Sequence, residues 1–198
     1  MTEPRQDEVR SAIRKRYEAV AQAPKPVFPY PTGREGLLKL GYDEAFVALL
    51  PLPVAESFCG VANPFRAGEI RPGEVVLDIG CGAGIDVIRA ARDTGPAGMV
   101  YGVDLTAEMV ERASRNIREM GIGNSAVMEA PAELLPFEDE SIDVVTTNGV
   151  LNLSLYKREC FGEIHRVLRP GGRLHLADVI LEGEWEEDVS CDIESWAT

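Results

Sequence analysis

The stretch "LDIGCGAGID", Leu77–Asp86, places Gly80, Gly82 and Gly84 between an apolar run and a segment of helical spacing. Glycine accepts turns that other residues resist and lets a ligand approach bare peptide. The run "EVVLDIG" (74–80) that feeds the loop reads as a short buried parallel strand ended by glycine. Downstream the pattern alternates. Residues 85–94 read as a helix stopped at "GPAG", and "MVYGVD" (99–104) as a second strand. Residues 106–121 read as a helix with Thr106 at its N-cap and Gly121 as its stop. "SAVMEA" (125–130) and "IDVVTTN" (142–148) give two more strands. Residues 155–169 give a helix ended by "RPGG", and "RLHLADVI" (173–180) a fifth strand. Strands alternating with helices predict an α/β, Rossmann-like doubly wound parallel sheet of five strands, joined by right-handed crossovers. A ligand in such a sheet sits at the carboxyl ends of the strands, where the glycine loop falls.

Upstream of the loop the pattern is helical. Val9, Ile13, Tyr17 and Val20 make one apolar stripe on a helix over 6–22. Four prolines in "PKPVFPYP" (24–31) exclude helix there. "TGRE" (32–35) has capping-box spacing and opens a short helix through Leu40. Asp43 is the expected N-cap of another short helix that Pro51 stops. The chain therefore divides into a helical cap segment (1–67), a sheet-bearing core (68–180) and an acidic tail (181–198).

The 198 residues suffice for one domain with a sizeable core. The net charge of −13 repels a phosphate backbone and argues against a nucleic-acid partner. No run approaches the ~18 apolar residues of a membrane span, and the N-terminus has no apolar signal core. The expected location is cytoplasmic, with no membrane partner. Cys59, Cys81, Cys160 and Cys191 have spacings that suit no zinc site, and no metal is expected.

The loop spacing is G-x-G-x-G, which is neither a dinucleotide fingerprint nor a phosphate loop. Asp78 precedes it. Asp104, with Leu105 beside it, ends the second strand about 20 residues after Gly84, where an acid accepts from both ribose hydroxyls. These residues predict an adenosine-like ligand with an unphosphorylated ribose and leave NAD and S-adenosylmethionine open. The pattern Asp78-x-Gly80-x-Gly82-x-Gly84 with Asp104 resembles the class I S-adenosylmethionine-dependent methyltransferases. So do "EAPAELLPFEDESIDVV" (129–145) and "RVLRPGGRLHLAD" (166–178), so that the resemblance spans roughly 68–180. It implies S-adenosylmethionine as cofactor. Backbone N–H groups at the start of the helix after Gly84 would meet the carboxylate. Asp78 would order the loop or face the ammonium, and Asp104 would take the ribose. Ala132 would lie beside adenine, with Glu133 close by. Cys81 reads as a small loop residue, Asp86 as a helix-start charge. Asn148 falls where cofactor and acceptor meet. Pro131 stands where the family often has an acid.

"TTNGVLNL", "GAGID", "IRKRYEAVA" and "LGYDEAFVALLPLPVAESFCGVANPF" are similar to the arsenite methyltransferase subgroup, extending the resemblance to roughly 13–180. That subgroup places a cysteine where this chain has Gly149, and Cys59 is the candidate for another family thiol. The expectation is methyl transfer to a small molecule. A true arsenite methyltransferase and a cofactor-binding module without turnover are the alternatives. NAD-dependent oxidoreduction is disfavoured by the loop spacing. The acceptor candidates are Tyr17, Cys59, Asn63, Gly149 and Asn152. His165 and His175 read as structural, and no catalytic base is named. By the same resemblance a core of this class continues past its fifth strand with a helix and a strand pair. Residues 181–198 are too acidic and too few to supply them. The fifth strand is therefore expected at an edge, covered by a partner such as a second copy or by the tail, unless the chain is cut short.

Overall fold

Five parallel strands stand in the order β3-β2-β1-β4-β5, which is the doubly wound sheet that the alternation predicts. The computed structural model describes residues 3–22, 28 and 30–180, with side chains from residue 8 onward except Gln22. The tail 181–198 and most of the proline-rich stretch lie outside the described residues. The strands are β1 (Val75–Ile79), β2 (Met99–Asp104), β3 (Ser125–Glu129), β4 (Ile142–Asn148) and β5 (Leu168–Ala177). Before them come α1 (Glu3–Gln22), α2 (Gly33–Lys39), α3 (Glu44–Leu49), α4 (Leu52–Ala55) and a 3₁₀ turn at Pro64–Arg66. Between the strands lie α5 (Ile85–Thr94), α6 (Ala107–Glu119), a 3₁₀ turn at Leu151–Leu153 and α7 (Lys157–Val167). Among the described residues no helix is long and apolar enough to cross a membrane.

The sheet buries both faces, as a parallel sheet must. Val76 and Val144 pack with α5 and with Leu37, Phe46, Val47 and Val54 of the upstream helices. Leu77, Ile79 and Val145 pack on the other face with Cys160, Ile164 and Val167 of α7. A smaller cluster of Val20, Ala21 and Met109 joins α1 to α6.

Several boundaries differ from the sequence pattern for local reasons. β5 begins at Leu168, not at residue 173, because Leu168 already pairs with Ile142. The register then shifts, and Arg173 pairs with Val144. β5 ends at Ala177 because its partner ends at Asn148. Asp43 caps α3 as expected, accepting from the Phe46 N–H at 2.9 Å. Thr32 and Thr106 hold the N-cap positions of α2 and α6, but neither side chain caps its helix. Glu35 pairs with Lys39 at 2.7 Å rather than closing a capping box, and the Thr106 hydroxyl donates to Asp104. Pro51 does not simply stop α3 but opens α4. Gly121 follows α6 with φ of +64°, a left-handed stop.

Candidate functional site

A cavity opens where the carboxyl ends of β1, β2 and β4 meet, and its floor is the glycine loop. The three glycines serve three different needs. Gly80 has φ of +68°, and a Cβ there would lie 2.2 Å from Val150 Cγ2. Gly84, at +83°, lets α5 start against Ala113 of α6, 3.1 Å from the position of an added Cβ. Gly82, at +49°, has nothing within 4 Å of that position and lines the cavity, so peptide there faces open space.

Asp104 ties the loop to α6. Its Oδ2 accepts from the Gly82 N–H at 2.9 Å, and its Oδ1 accepts from the Thr106 N–H and hydroxyl, each at 3.0 Å. Burial raises its pKa above the usual aspartate value, and these donors partly offset that. A carboxylate fixed by three donors still has lone pairs for a ligand. Leu105, Ala132 and Glu133 line the same side of the cavity. Glu133 is held at both oxygens, by Arg10 of α1 at 3.2 Å and by the Ser154 hydroxyl at 2.7 Å.

Asp78 and Asp86 form the opposite end, and both are buried. Asp78 Oδ1 accepts from the Thr146 hydroxyl at 2.6 Å. Asp86 accepts from the Tyr42 hydroxyl at 2.7 Å and from Asn148 Nδ2 at 3.1 Å. Burial pushes Asp86 up to about 6, with Tyr42 and Asn148 restraining the rise. Burial, and then the charge of Asp86, pushes Asp78 well up. Asp86 stands in the first turn of α5, at the helix mouth where the sequence suggested a ligand carboxylate. A like charge there opposes that placement.

Asn148 lines the cavity, but its amide is a clasp for the upstream segment. Oδ1 accepts from the N–H groups of Val61 and Ala62 at 2.9 and 3.1 Å, and Nδ2 donates to the Ala62 carbonyl at 2.8 Å. Gly60 is required beside it, since a Cβ would lie 2.4 Å from Asn148 Nδ2. Over the opening lies α1, which contributes Val9, Ile13 and Tyr17 to the wall. Arg14 of α1 donates to the Leu105 carbonyl at 3.0 Å and pairs with Glu129 at 2.9 Å. Arg112 of α6 donates to the Ala21 carbonyl near the end of α1.

Of the acceptor candidates, Tyr17, Cys59 and Gly149 reach the cavity wall, whereas Asn63 and Asn152 do not. Asn63 caps the turn at Phe65 and donates to the Gly41 carbonyl at 2.9 Å. The Asn152 N–H donates to Asp178 at 3.0 Å. Burial, reinforced by Asp104 and Asp86, pushes the Cys59 thiol up to about 12. Burial likewise holds the Tyr17 phenol far above its ordinary value. Cys81 lines the cavity, but its sulfur lies under the loop, within 2.9 Å of a Cβ built on Gly102. Gly149 has φ of +70°, and a Cβ there would meet Val61 at 3.0 Å. The sequence pattern reads Asp86 as a helix-start charge and leaves Tyr42, Arg10 and Ser154 without a role. The available signal for Asp86 was its apolar company, Ile85, Val87 and Ile88.

The sequence matches a family described as a methyltransferase domain over residues 70–197. It is 40% identical over 164 residues to an arsenite methyltransferase of Halobacterium salinarum, covering 83% of this chain and 42% of that protein. It is 33% identical over 141 residues to an arsenite methyltransferase of Aquipseudomonas alcaligenes, covering 68% and 40%. Among solved structures it is similar to an arsenic(III) S-adenosylmethionine methyltransferase from Chlamydomonas reinhardtii. That match has a TM-score of 0.61 at 34% identity and covers 73% of this chain and 48% of the other. A methyltransferase from Aquifex aeolicus, 23% identical with a TM-score of 0.51 over 71% and 69% of the two chains, shares the fold. The chain spans less than half the length of these two arsenite methyltransferases.

Proposed function

The chain belongs to the methyltransferase-domain family and is related to its arsenite methyltransferases, and on that premise we propose that it transfers a methyl group from S-adenosylmethionine to a neutral small-molecule acceptor. The observation that carries this reading is Asp104, locked by Gly82 and Thr106 beside open peptide at the glycine loop. The cradle fits a phosphate-free adenosyl group. Gly82 gives bare peptide for close approach, and Asp104 offers a prearranged acceptor to the ribose hydroxyls. Leu105 and Ala132 give an apolar flank for adenine. Pro131 offers no acceptor to the adenine amino group, and Glu133 is already engaged by Arg10 and Ser154.

When bound, the cofactor supplies a methyl group already activated on a sulfonium. The side chains then have to orient the acceptor and exclude water. α1 covers the opening with Val9, Ile13 and Tyr17, and Val150, Leu153 and Leu155 extend that apolar wall. Arg10 is the one basic side chain on the wall among the described residues, and Glu133 neutralises it. An anionic acceptor would therefore find no counter-charge. Tyr17 and Cys59 stay protonated at neutral pH and do not serve as general bases. The site suits a neutral acceptor that attacks without first losing a proton, such as a soft nucleophile.

Calorimetry with S-adenosylmethionine and S-adenosylhomocysteine, followed by methyl transfer to thiols, phenols and arsenite, tests this. Saturable binding of both ligands and turnover of a neutral acceptor are expected. A folded protein that binds neither overturns the reading. Binding without turnover across the panel replaces transfer by a binding module. Arsenite is the second reading, favoured by the relatives and by Cys59 in the wall. Soft trivalent arsenic calls for several thiolates, whereas Gly149 contributes no side chain and Cys59 is held as a neutral thiol. Arsenite turnover abolished by Cys59→Ser would establish it.

A further inference from the structure

Polar groups from four parts of the chain meet at the end of β4. The Tyr42 hydroxyl has one proton and gives it to Asp86 Oδ1 at 2.7 Å, since its other acceptor, the Ala62 carbonyl, stands at 3.4 Å. Asp86 Oδ2 is left for Asn148. The Asn148 Nδ2 group has two protons, and its nearest acceptors are the Ala62 carbonyl at 2.8 Å and Asp86 Oδ2 at 3.1 Å, with the Tyr42 oxygen at 3.2 Å. An ionised carboxylate and a carbonyl only accept, and a backbone N–H only donates. The Asn148 amide therefore has one workable direction. Its Nδ2 faces Asp86 and the Ala62 carbonyl, and its Oδ1 faces the Val61 and Ala62 N–H groups at 2.9 and 3.1 Å. Turned over, it would set acceptor against acceptor and donor against donor. Asp86 thus fixes one end of the amide, and the other end holds the strap formed by residues 59–62. The strap lies tight on the amide, because a Cβ on Gly60 would be 2.4 Å from Asn148 Nδ2. The Tyr30 hydroxyl adds a bond to the Cys59 carbonyl at 3.2 Å. Cys59 and Gly60 line the cavity, whereas Tyr42 stands outside its wall, buried against the rings of Phe46, Phe58 and Phe65.

We propose that Asp86 and Tyr42 are positioning residues for the methyl acceptor: they set the direction of the Asn148 amide, and that amide fixes residues 59–62 as the acceptor wall. This rests on the methyl-transfer reading above, with Cys59 on the acceptor side. Neither residue has to touch the acceptor. Tyr42 orients Asp86, Asp86 orients Asn148, and Asn148 places the backbone that carries Cys59 and Gly60. Releasing the strap changes the space beside Cys59 and leaves the cradle of Gly82 and Asp104 in place, because Asp104 is tied to Gly82 and Thr106 by separate bonds.

Variants of nearly equal size separate direction from packing. Asn148→Asp sets a second carboxylate against Asp86 and the Ala62 carbonyl. Asp86→Asn combined with Asn148→Asp swaps donor and acceptor across that contact, keeps the net charge of wild type, and leaves only the Ala62 carbonyl without its donor. Tyr42→Phe keeps the ring among its aromatic neighbours and removes the hydroxyl alone. Folding is checked by circular dichroism. At pH 8 with saturating S-adenosylhomocysteine, two signals report the strap: amide exchange of Val61 and Ala62, and iodoacetamide labelling of Cys59 read by peptide mass spectrometry. Asn148→Asp should speed both at least about tenfold, and Tyr42→Phe at least about threefold. The swap should recover half or more of the Asn148→Asp effect on a logarithmic scale. Tyr42→Phe should bind S-adenosylhomocysteine within about twofold of wild type, and raise the KM of whichever thiol, phenol or arsenite acceptor turns over. A folded swap no better than Asn148→Asp alone shows that packing, not direction, matters. Faster exchange in Tyr42→Phe with unchanged Cys59 labelling or unchanged acceptor KM shows a clasp that does not shape the wall. Each of these overturns the proposal and leaves the methyl-transfer reading standing. Absence of turnover by wild type overturns that reading, and the proposal with it.

Discussion

Asp104 joins the loop, the second strand and α6 through three hydrogen bonds, so its removal acts on stability and on ligand binding at once. Asp104→Asn keeps the size but turns one acceptor into a donor facing an N–H. Leaving a buried polar group unmatched costs about 1–3 kcal/mol. Urea denaturation should show a loss of that order, and calorimetry at least a tenfold weaker cofactor. The glycines separate the two effects. Gly80→Ala drives a methyl into Val150 at φ of +68° and should cost about 1–3 kcal/mol in stability. Gly82→Ala meets only the strain of φ +49°, about 1 kcal/mol, yet puts a methyl where the ligand approaches. It should unfold at higher urea than Gly80→Ala and still bind cofactor poorly. Reversal of that order would show the loop placed wrongly. Gly80, Gly82, Gly84 and Asp104 were legible because their spacing is local. Asp86 was not, because an acid at a helix start usually faces water. Here its burial comes from Tyr42, 44 residues away in the chain.

At the level of elements, two kinds of fastening hold the upstream segment to the sheet. Asn148 supplies half-buried, uncharged bonds to the backbone of Val61 and Ala62. Asn148→Ala would strand those N–H groups. Their amide hydrogen exchange should accelerate at least tenfold, as expected for about 2 kcal/mol of lost local protection. The β1 amides should be unaffected. By contrast, α1 is latched by Arg10–Glu133 and Arg14–Glu129, and both arginines are nearly half exposed. Such pairs contribute about 0–1 kcal/mol each and are screened by salt. Raising salt from about 0.05 to 0.5 M should speed exchange along α1 and leave β1–β4 unchanged. Equal sensitivity of α1 and the sheet would contradict a salt-loosened lid. The helices and strands themselves were readable from period and punctuation. The early start of β5 was not, because Arg169, Pro170, Gly171 and Gly172 look like a turn. Only the shifted pairing of Leu168 with Ile142 and Arg173 with Val144 brings them into the strand. Nor could sequence show Thr106 turning back to Asp104 instead of capping α6.

For the whole molecule, the buried acids set an unusual dependence of stability on pH. Burial raises Asp86 from 3.8 to about 6, and it raises Asp78 and Asp104 in the same direction. A carboxyl raised in the native state binds its proton more tightly there than in the unfolded chain. Its contribution is complete below pH ~4 and is lost as pH rises through the native value. For Asp86, a shift of about two units corresponds to roughly 3 kcal/mol between pH 4 and 8. Other acids slope the opposite way. The Arg166 hydrogen bond lowers Glu163. Burial raises Glu74 and Asp143, but donors from Arg173 and from Val75 with Arg169 bring them below their ordinary values. Their stabilisation is lost as pH falls through those depressed values, so above pH ~5 they are ionised in both states and add little slope. Burial lowers His175, which adds a slope of the opposite sign below its ordinary 6.5. Comparing wild type with Asp86→Asn cancels it. The ligand-free protein should therefore gain stability relative to Asp86→Asn as pH falls from 8 to 5, by about 1.4 kcal/mol in urea denaturation. If the two proteins keep a constant difference across that range, Asp86 has no raised affinity for its proton.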